Sequence, residues 1–419
     1  MKQKIILEAL LLLVLLPGCA AITRANQTQA GRVRARDFPG ADIGARINAA
    51  DKSLGERRGE IIVEGGGTIA TQIVVSSGHV LRLMPGTYSA RTADAPILLK
   101  SGSSLIGSGW ESIIVESTVP GQFTVIGAYA GTLVNGNADS NINIRDIQIK
   151  GANPGFNSAP QAISLANCSN CNVDHVWVNG TRSIGIQVGG GSFSGHWAEN
   201  VRVTNCLFTR VASQNLALVN GRNIVFEGNR FMAPGQKGGP GNTSIDLEPN
   251  QSSDRMQDVI IRNNVIDHRG TEMGTTGNGI VVQAGPGTPL IGNILVENNT
   301  IIGGENHGII YSALSNGIYI AGNTMRDVTV RNNVITRTGQ AGIRVAGSRI
   351  TVLNNKLTDV GGGGTAGFIV EGLRDSRIEG NTLTYTGNGP IDRRFLISGD
   401  NSRNTFQNNE GFQVVGPIR

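Results

Sequence analysis

"NGIYIA" (316–321), "AGIRVA" (341–346) and "AGFIVE" (366–371) are three versions of one short pattern. In each, apolar residues alternate with variable ones, the mark of a strand with one buried face. Each is followed by a second pattern: "VTVRNNVI" (328–335), "ITVLNNKL" (350–357) and "SRIEGNTL" (376–383). Gly317, Gly342 and Gly367 stand 25 residues apart. The same pair of patterns extends upstream through "SIGIQV" (183–188), "QNLALV" (214–219), "TSIDLE" (243–248) and "NGIVVQ" (278–283). Self-similarity at such a spacing marks a solenoid, whose units cannot bury their apolar faces alone and must stack. Helical periodicity does not appear in the units. The expected fold is therefore all-β: a single-stranded right-handed parallel β-helix. Inward positions such as Ile343, Val345, Ile350 and Val352 would fill its core. The asparagines of "RNN", "ENN" and "LNN" recur at one turn and should bond to each other from coil to coil.

Composition agrees with a large folded chain. The 419 residues include 59 glycines, with 16% charged and 5% aromatic residues. The net charge of +5 comes with no Lys/Arg block of the kind that marks a nucleic-acid surface, so no nucleic-acid partner is expected.

The N-terminus reads as an export signal. "MKQK" supplies positive charge and "IILEALLLLVLL" (5–16) an apolar run too short to favour a membrane span. "LPGC" (16–19) is similar to a bacterial lipobox, which would place a lipid anchor on Cys19; plain secretion or a periplasmic location is the alternative. Residues 1–19 would be the signal, 20–35 a tether, 36–410 the β-helix and 411–419 a tail. Cys168 and Cys171 have metal-like spacing, but no second pair accompanies them, so buried thiols or one disulfide are expected.

"ARDFPGADIGARINAAD" (35–51), "MPGTYSA" (84–90) and "LLKSGSSLIGSGW" (98–110) resemble the first coils of pectate-lyase-3 type proteins, within the pectate-lyase-like β-helix superfamily. The resemblance spans about residues 33–410. It implies a short N-terminal capping helix with Ile43, Ile47 and Leu54 as its apolar stripe. It does not imply an activity, because the superfamily holds lyases, hydrolases, epimerases and inert stalks. The "NTD", "DD" and "GHG" set of polygalacturonases does not occur, nor does a calcium-binding Asp cluster with a partner Arg.

The sharpest candidate site is "SIDLEP" (244–249). Alternation turns Ile245 and Leu247 inward, so Asp246 and Glu248 point out, roughly 7 Å apart at Cβ. Stacking puts Gln187, Ala217, Val281, Tyr319 and Arg344 in the column of Asp246, and Gln283 and Glu371 in that of Glu248. Longer connections precede the strand on the neighbouring units: "APGQKGGPGNT" (233–243), "DHRGTEMGTTGN" (267–278) and "GGENHGIIYSALSN" (303–316). They would build one wall and bring His268, Glu272, Glu305, His307 and Tyr311 near this face. His196, Trp197, Asp254 and Arg255 would form the other wall, with Trp197 placed to stack on a sugar.

Three arrangements follow. Asp246 and Glu248 could be the acid and base pair of a glycoside hydrolase, with Gln283, Tyr319 and Arg344 positioning the sugar. A uronate lyase would use Arg344, with His268 or His307 as base and Tyr319 as acid. A calcium ion held by Asp246 and Glu248 is the third, with no other cofactor expected. The expected partner is a polysaccharide. A surface β-helix that holds glycan without cutting it is the competing class.

Overall fold

The computed structural model describes residues 31–128, 139–152, 160–190, 197–233, 243–270, 277–284, 290–303, 306–307, 310–311, 316–322, 324–387 and 392–416. The chain winds as a right-handed parallel β-helix. Strands pair in parallel with the equivalent strand one coil away, in a 26-stranded and a 12-stranded sheet. The larger sheet supplies two faces of the coil. Ile343–Leu353 belongs to both, with a register shift at Ala346/Gly347 where it turns the corner.

The register is the one that alternation dictates. Ile186, Leu216, Ile245, Ile280, Ile318, Ile343 and Phe368 are successive partners. Every one of them is fully buried. Ile350 and Val352 stack likewise on Val328 and Val330. Residues of the smaller sheet, such as Phe208, Phe231, Ile266 and Ile301, close the core from the other side. The glycines that open the pattern are required by this closeness. A Cβ on Gly317 would lie 2.5 Å from Ile335 Cγ2 and 2.6 Å from Gly342 O.

The asparagine column forms as expected and each residue of the pair has its own task. In "RNN", "ENN" and "LNN" the first asparagine takes the left-handed turn: Asn263, Asn298, Asn332 and Asn354 have φ of 53–57°. Gly228 and Gly380 replace it in the two "EGN" units. The second asparagine points inward. The Nδ2 groups of Asn229, Asn264, Asn299, Asn333, Asn355 and Asn381 each donate to the next Oδ1 at 2.9–3.1 Å. Each also donates to a backbone carbonyl, as Asn299 does to Ile261 O. Among the described residues, no buried side-chain N or O of these six asparagines is left without a partner, which is the condition for keeping amides in a core.

Helix α1 (Ile43–Leu54) covers the first coil. Asp42 caps it, accepting from Gly44 N at 2.7 Å and also from Thr71 Oγ1 at 2.7 Å on the coil beneath. Ile47 and Leu54 are buried and Ile43 packs at the edge. The ends of the β-helix reach further than expected. Gly31–Arg34, placed in the tether, pairs with Gly59–Val63, and Gln413–Val415, placed in the tail, pairs with Arg394–Ser398. Cys168 and Cys171 are disulfide-bonded to each other, and Cys206 is a buried free thiol. Among the described residues no helix is long and apolar enough to cross a membrane. The signal and Cys19 lie outside the described residues.

Candidate functional site

Ile245–Leu247 is a three-residue strand between Leu216–Leu218 and Ile280–Gln283. The outward column runs Gln187, Ala217, Asp246, Val281, Tyr319, Arg344, as alternation requires. Its exposure is uneven. Gln187, Tyr319 and Arg344 are half-buried, whereas Ala217, Asp246 and Val281 are only 7%, 4% and 3% exposed. The outer face of the β-helix is therefore covered at the coils around Asp246, and this carboxyl sits on the floor of a depression.

The depression is a cleft of about 200 Å³. Asp246, Glu248, Asp254, Gln187, Gln214 and Gln251 supply its polar wall. Asp254 is fully engaged: its Oδ2 accepts from Asn250 N and Gln251 N, both at 2.8 Å, and its Oδ1 from Asn220 Nδ2 at 3.2 Å. It shapes the turn after Glu248. Gln214 accepts the Ser213 hydroxyl on Oε1 at 2.6 Å, which leaves its amide N–H groups for Asp246. Asp246 Oδ1 is buried with no partner among the described residues.

Burial pushes the Asp246 carboxyl up to about 7, and the neighbouring Glu248 charge adds to it; the bond from Gln214 opposes both. Desolvation penalises the ionised form, and so does a second carboxylate nearby. Glu248 is half-buried on the same side of the strand. Two neighbouring carboxyls in unequal surroundings, one buried and one half-exposed, suit unequal chemical roles.

The other expected residues do not all gather here. Gln283 is half-buried on the coil after Glu248, outside the cleft lining. Tyr319 and Arg344 share the face but lie two and three coils from Asp246, again outside the lining. Arg344 sits over the Tyr319 ring at 5.0 Å and binds Glu371 through two hydrogen bonds of 3.0 Å. That pairing occupies the cation expected to meet a uronate.

The expectation for His268 is corrected. Instead of standing in the groove, it is 1% exposed, with Nε2 3.4 Å from the buried Ser244 Oγ, behind the strand. Burial lowers its pKa to about 4, so it is neutral and inaccessible to a polymer. Trp197 is half-buried between two guanidinium groups, Arg222 at 5.8 Å and Arg255 at 5.2 Å, and does not line the cleft. His307 pairs through its backbone with Ile310 in a small antiparallel hairpin. His196, Glu272 and Glu305 lie outside the described residues.

Gln214 is the cleft residue that the strand pattern did not point to. It precedes its strand, where alternation carries no signal. Its only trace in the sequence is its place one coil before the residues flanking Asp246. Among the described residues no group of three or more His, Cys, Asp or Glu could hold a metal ion.

Comparison with solved structures returns the same architecture. The A-module of the mannuronan C-5 epimerase AlgE4 of Azotobacter vinelandii aligns with a TM-score of 0.55 at 17% identity, over 92% of this chain and 98% of that one. A family 28 exopolygalacturonase of Yersinia enterocolitica gives 0.55 at 14% identity, over 90% and 78%. A tailspike protein of E. coli bacteriophage HK620 in complex with a pentasaccharide gives 0.54 at 16%, over 88% and 67%. At these identities the likeness is one of fold. No curated protein matches the sequence. A family described as "Right handed beta helix region" matches residues 130–325 and 310–413. Stacked parallel coils, one capping helix and this match together show that the chain belongs to the right-handed β-helix family.

Proposed function

We propose that this protein is an exported, polysaccharide-acting β-helix enzyme, a glycoside hydrolase that works in the cleft of Asp246 and Glu248. The observation that carries the reading is the burial of Asp246 beside Glu248 on one strand face, with Asp246 raised to about 7. Asp246 is the proton donor to the glycosidic oxygen, being mostly protonated below about pH 7. Glu248 is the partner that activates water or attacks the sugar carbon. The C–O bond breaks, the leaving sugar takes the Asp246 proton, and water supplies the hydroxyl. Gln214 and Gln187 hold sugar hydroxyls, and Asp254 sets the position of the Glu248 turn. A cleft below the roughly 300–1,000 Å³ of a drug-sized pocket suits a short segment of a longer polymer. Acting on polysaccharide also agrees with the company the fold keeps, since the aligned structures include a mannuronan epimerase and an exopolygalacturonase.

The test is release of new reducing ends from a polysaccharide panel, together with ultraviolet absorbance of unsaturated uronate products. Reducing ends without absorbance support hydrolysis. Absorbance would replace it with elimination, and glycan retention with neither would replace it with binding. The export part of the reading carries its own experiment: fatty-acid labelling of the protein in a bacterial host, lost in Cys19→Ala.

A further inference from the structure

The charge of the cleft bears on what it takes. Its described lining carries three carboxyls, Asp246, Glu248 and Asp254, and otherwise amides and apolar groups. No Lys, Arg or His is among these lining residues. Guanidinium groups elsewhere on the same side of the β-helix are committed: Arg344 to Glu371, and Arg255 over Trp197. A carboxylate-bearing sugar entering here would meet like charge in a partly desolvated space and, among the described lining residues, no cation to offset it. A hydroxyl-bearing sugar meets what it needs. Beyond the bonds they make to Gln161, Gly189, Ser213 and Asp246, Gln187 and Gln214 each keep one acceptor lone pair and one N–H, the complement of a hydroxyl that both gives and accepts. Asp246 adds a second, independent sign of a ligand. It is 4% exposed, lines the cleft, and its Oδ1 lacks a partner among the described residues. A buried oxygen left in that state is stabilised when a ligand hydroxyl or bridging oxygen reaches it.

We infer that the cleft is built for an uncharged glycan segment, rich in free hydroxyls, and discriminates against polyuronates. This rests on the reading of the cleft as a polysaccharide site and narrows it. It sets the substrate class apart from the uronate polymers named for the epimerase and the exopolygalacturonase that share the fold.

The experiment measures binding, so that it does not depend on turnover. The Asp246→Asn protein, which keeps the Glu248 and Asp254 charges, is titrated with arrayed neutral oligosaccharides and with oligogalacturonates and oligomannuronates. The expected result is that at least one neutral class binds about tenfold or more tighter than every oligouronate, a factor of ten being about 1.4 kcal/mol. Glu248→Gln, by removing one of the negative charges, should raise oligouronate binding about threefold or more at low salt, with the gain shrinking at high salt. Oligouronates that bind as well as the best neutral class would overturn the inference, as would failure of every neutral class to bind. The two readings fail separately. Neutral glycan bound but never cut by the wild-type protein refutes hydrolysis and leaves this inference standing. New reducing ends from polygalacturonate, with no neutral glycan bound, do the opposite.

Discussion

Asp246 lies in one short strand and Glu248 directly follows that strand, both lining one cleft, yet Asp246 is buried and Glu248 is half-exposed. The β-helix makes this inequality possible. Side chains two apart share a face, and coils about 4.8 Å above and below decide how much of that face stays open. Around Asp246 those neighbours are Ala217 and Val281, both buried. The carboxyl is thus confined by its own column and faces Glu248 along the strand.

The confinement should appear in stability. Asp246 binds its proton more tightly in the folded state than in the unfolded chain, so the folded state holds more protons between the ordinary carboxylate range and about pH 7. Stability is highest with the group protonated and falls as pH rises through that window. Asp246→Asn removes the titration. The variant should be more stable than wild type at pH 8, by about 1–3 kcal/mol, and nearly equal to it at pH 4. Thermal melts across that range check the crossing of the two curves; parallel curves would contradict it.

His268 works in the opposite direction. Its folded-state pKa is depressed to about 4 by burial. Its contribution is present above the ordinary imidazole range and is lost as pH falls from there towards pH 4. His268→Gln should flatten the acid side of the stability curve, whatever its effect on stability at neutral pH. Denaturant midpoints measured from pH 7 down to pH 4 read that slope directly.

The asparagine ladder gives a gradient along the rod. Asn299 accepts from Asn264 N and Nδ2 and donates to Asn333 and Ile261 O. Asn299→Ala leaves several buried groups without partners and should cost about 2–4 kcal/mol. Asn409 ends the series and is only part-buried in its bonds to Asn381. Asn409→Ala should cost less than about 1 kcal/mol. Chemical denaturation of the two variants compares them, and equal losses would mean the ladder is not cooperative.

The turn before the ladder distinguishes its two kinds of occupant. A Cβ on Gly380 would stand 2.3 Å from Asn354 Oδ1, at φ of 65°. Gly380→Ala should destabilise by about 1–2 kcal/mol, whereas Gly380→Asn restores the side chain suited to the left-handed turn and should cost less. Melting temperatures of the pair decide the order.

Most of the architecture was legible because a solenoid writes its register into the sequence. The alternation of residues 316–383 placed Ile318, Ile343 and Phe368 in one inward column, and the same count placed Asp246 among its real outward neighbours. The two asparagines of each "NN" look alike in sequence but separate by backbone conformation, one at positive φ and one inside. What alternation does not encode is how the turns pack. His268 lies in "DHRG", which reads as a polar loop, but its side chain turns under the strand of Asp246. Gln214 opens the "QNLALV" pattern two residues before its strand and nevertheless lines the cleft beside the key carboxyl. Tyr319 and Arg344 were placed in the correct column, but a column has length, and they stand too many coils away to share the cleft.

The central claim is that Asp246 and Glu248 act together on a glycosidic bond. The direct measurement is the rate of reducing-end release from a cleaved polysaccharide by wild type, Asp246→Asn and Glu248→Gln, followed from pH 4 to pH 9. The account predicts at least roughly a hundredfold loss in each variant, and for wild type a decline above about pH 7 as Asp246 gives up its proton. A variant that retains most of the wild-type rate, or a wild-type rate that keeps rising above pH 7, would contradict it.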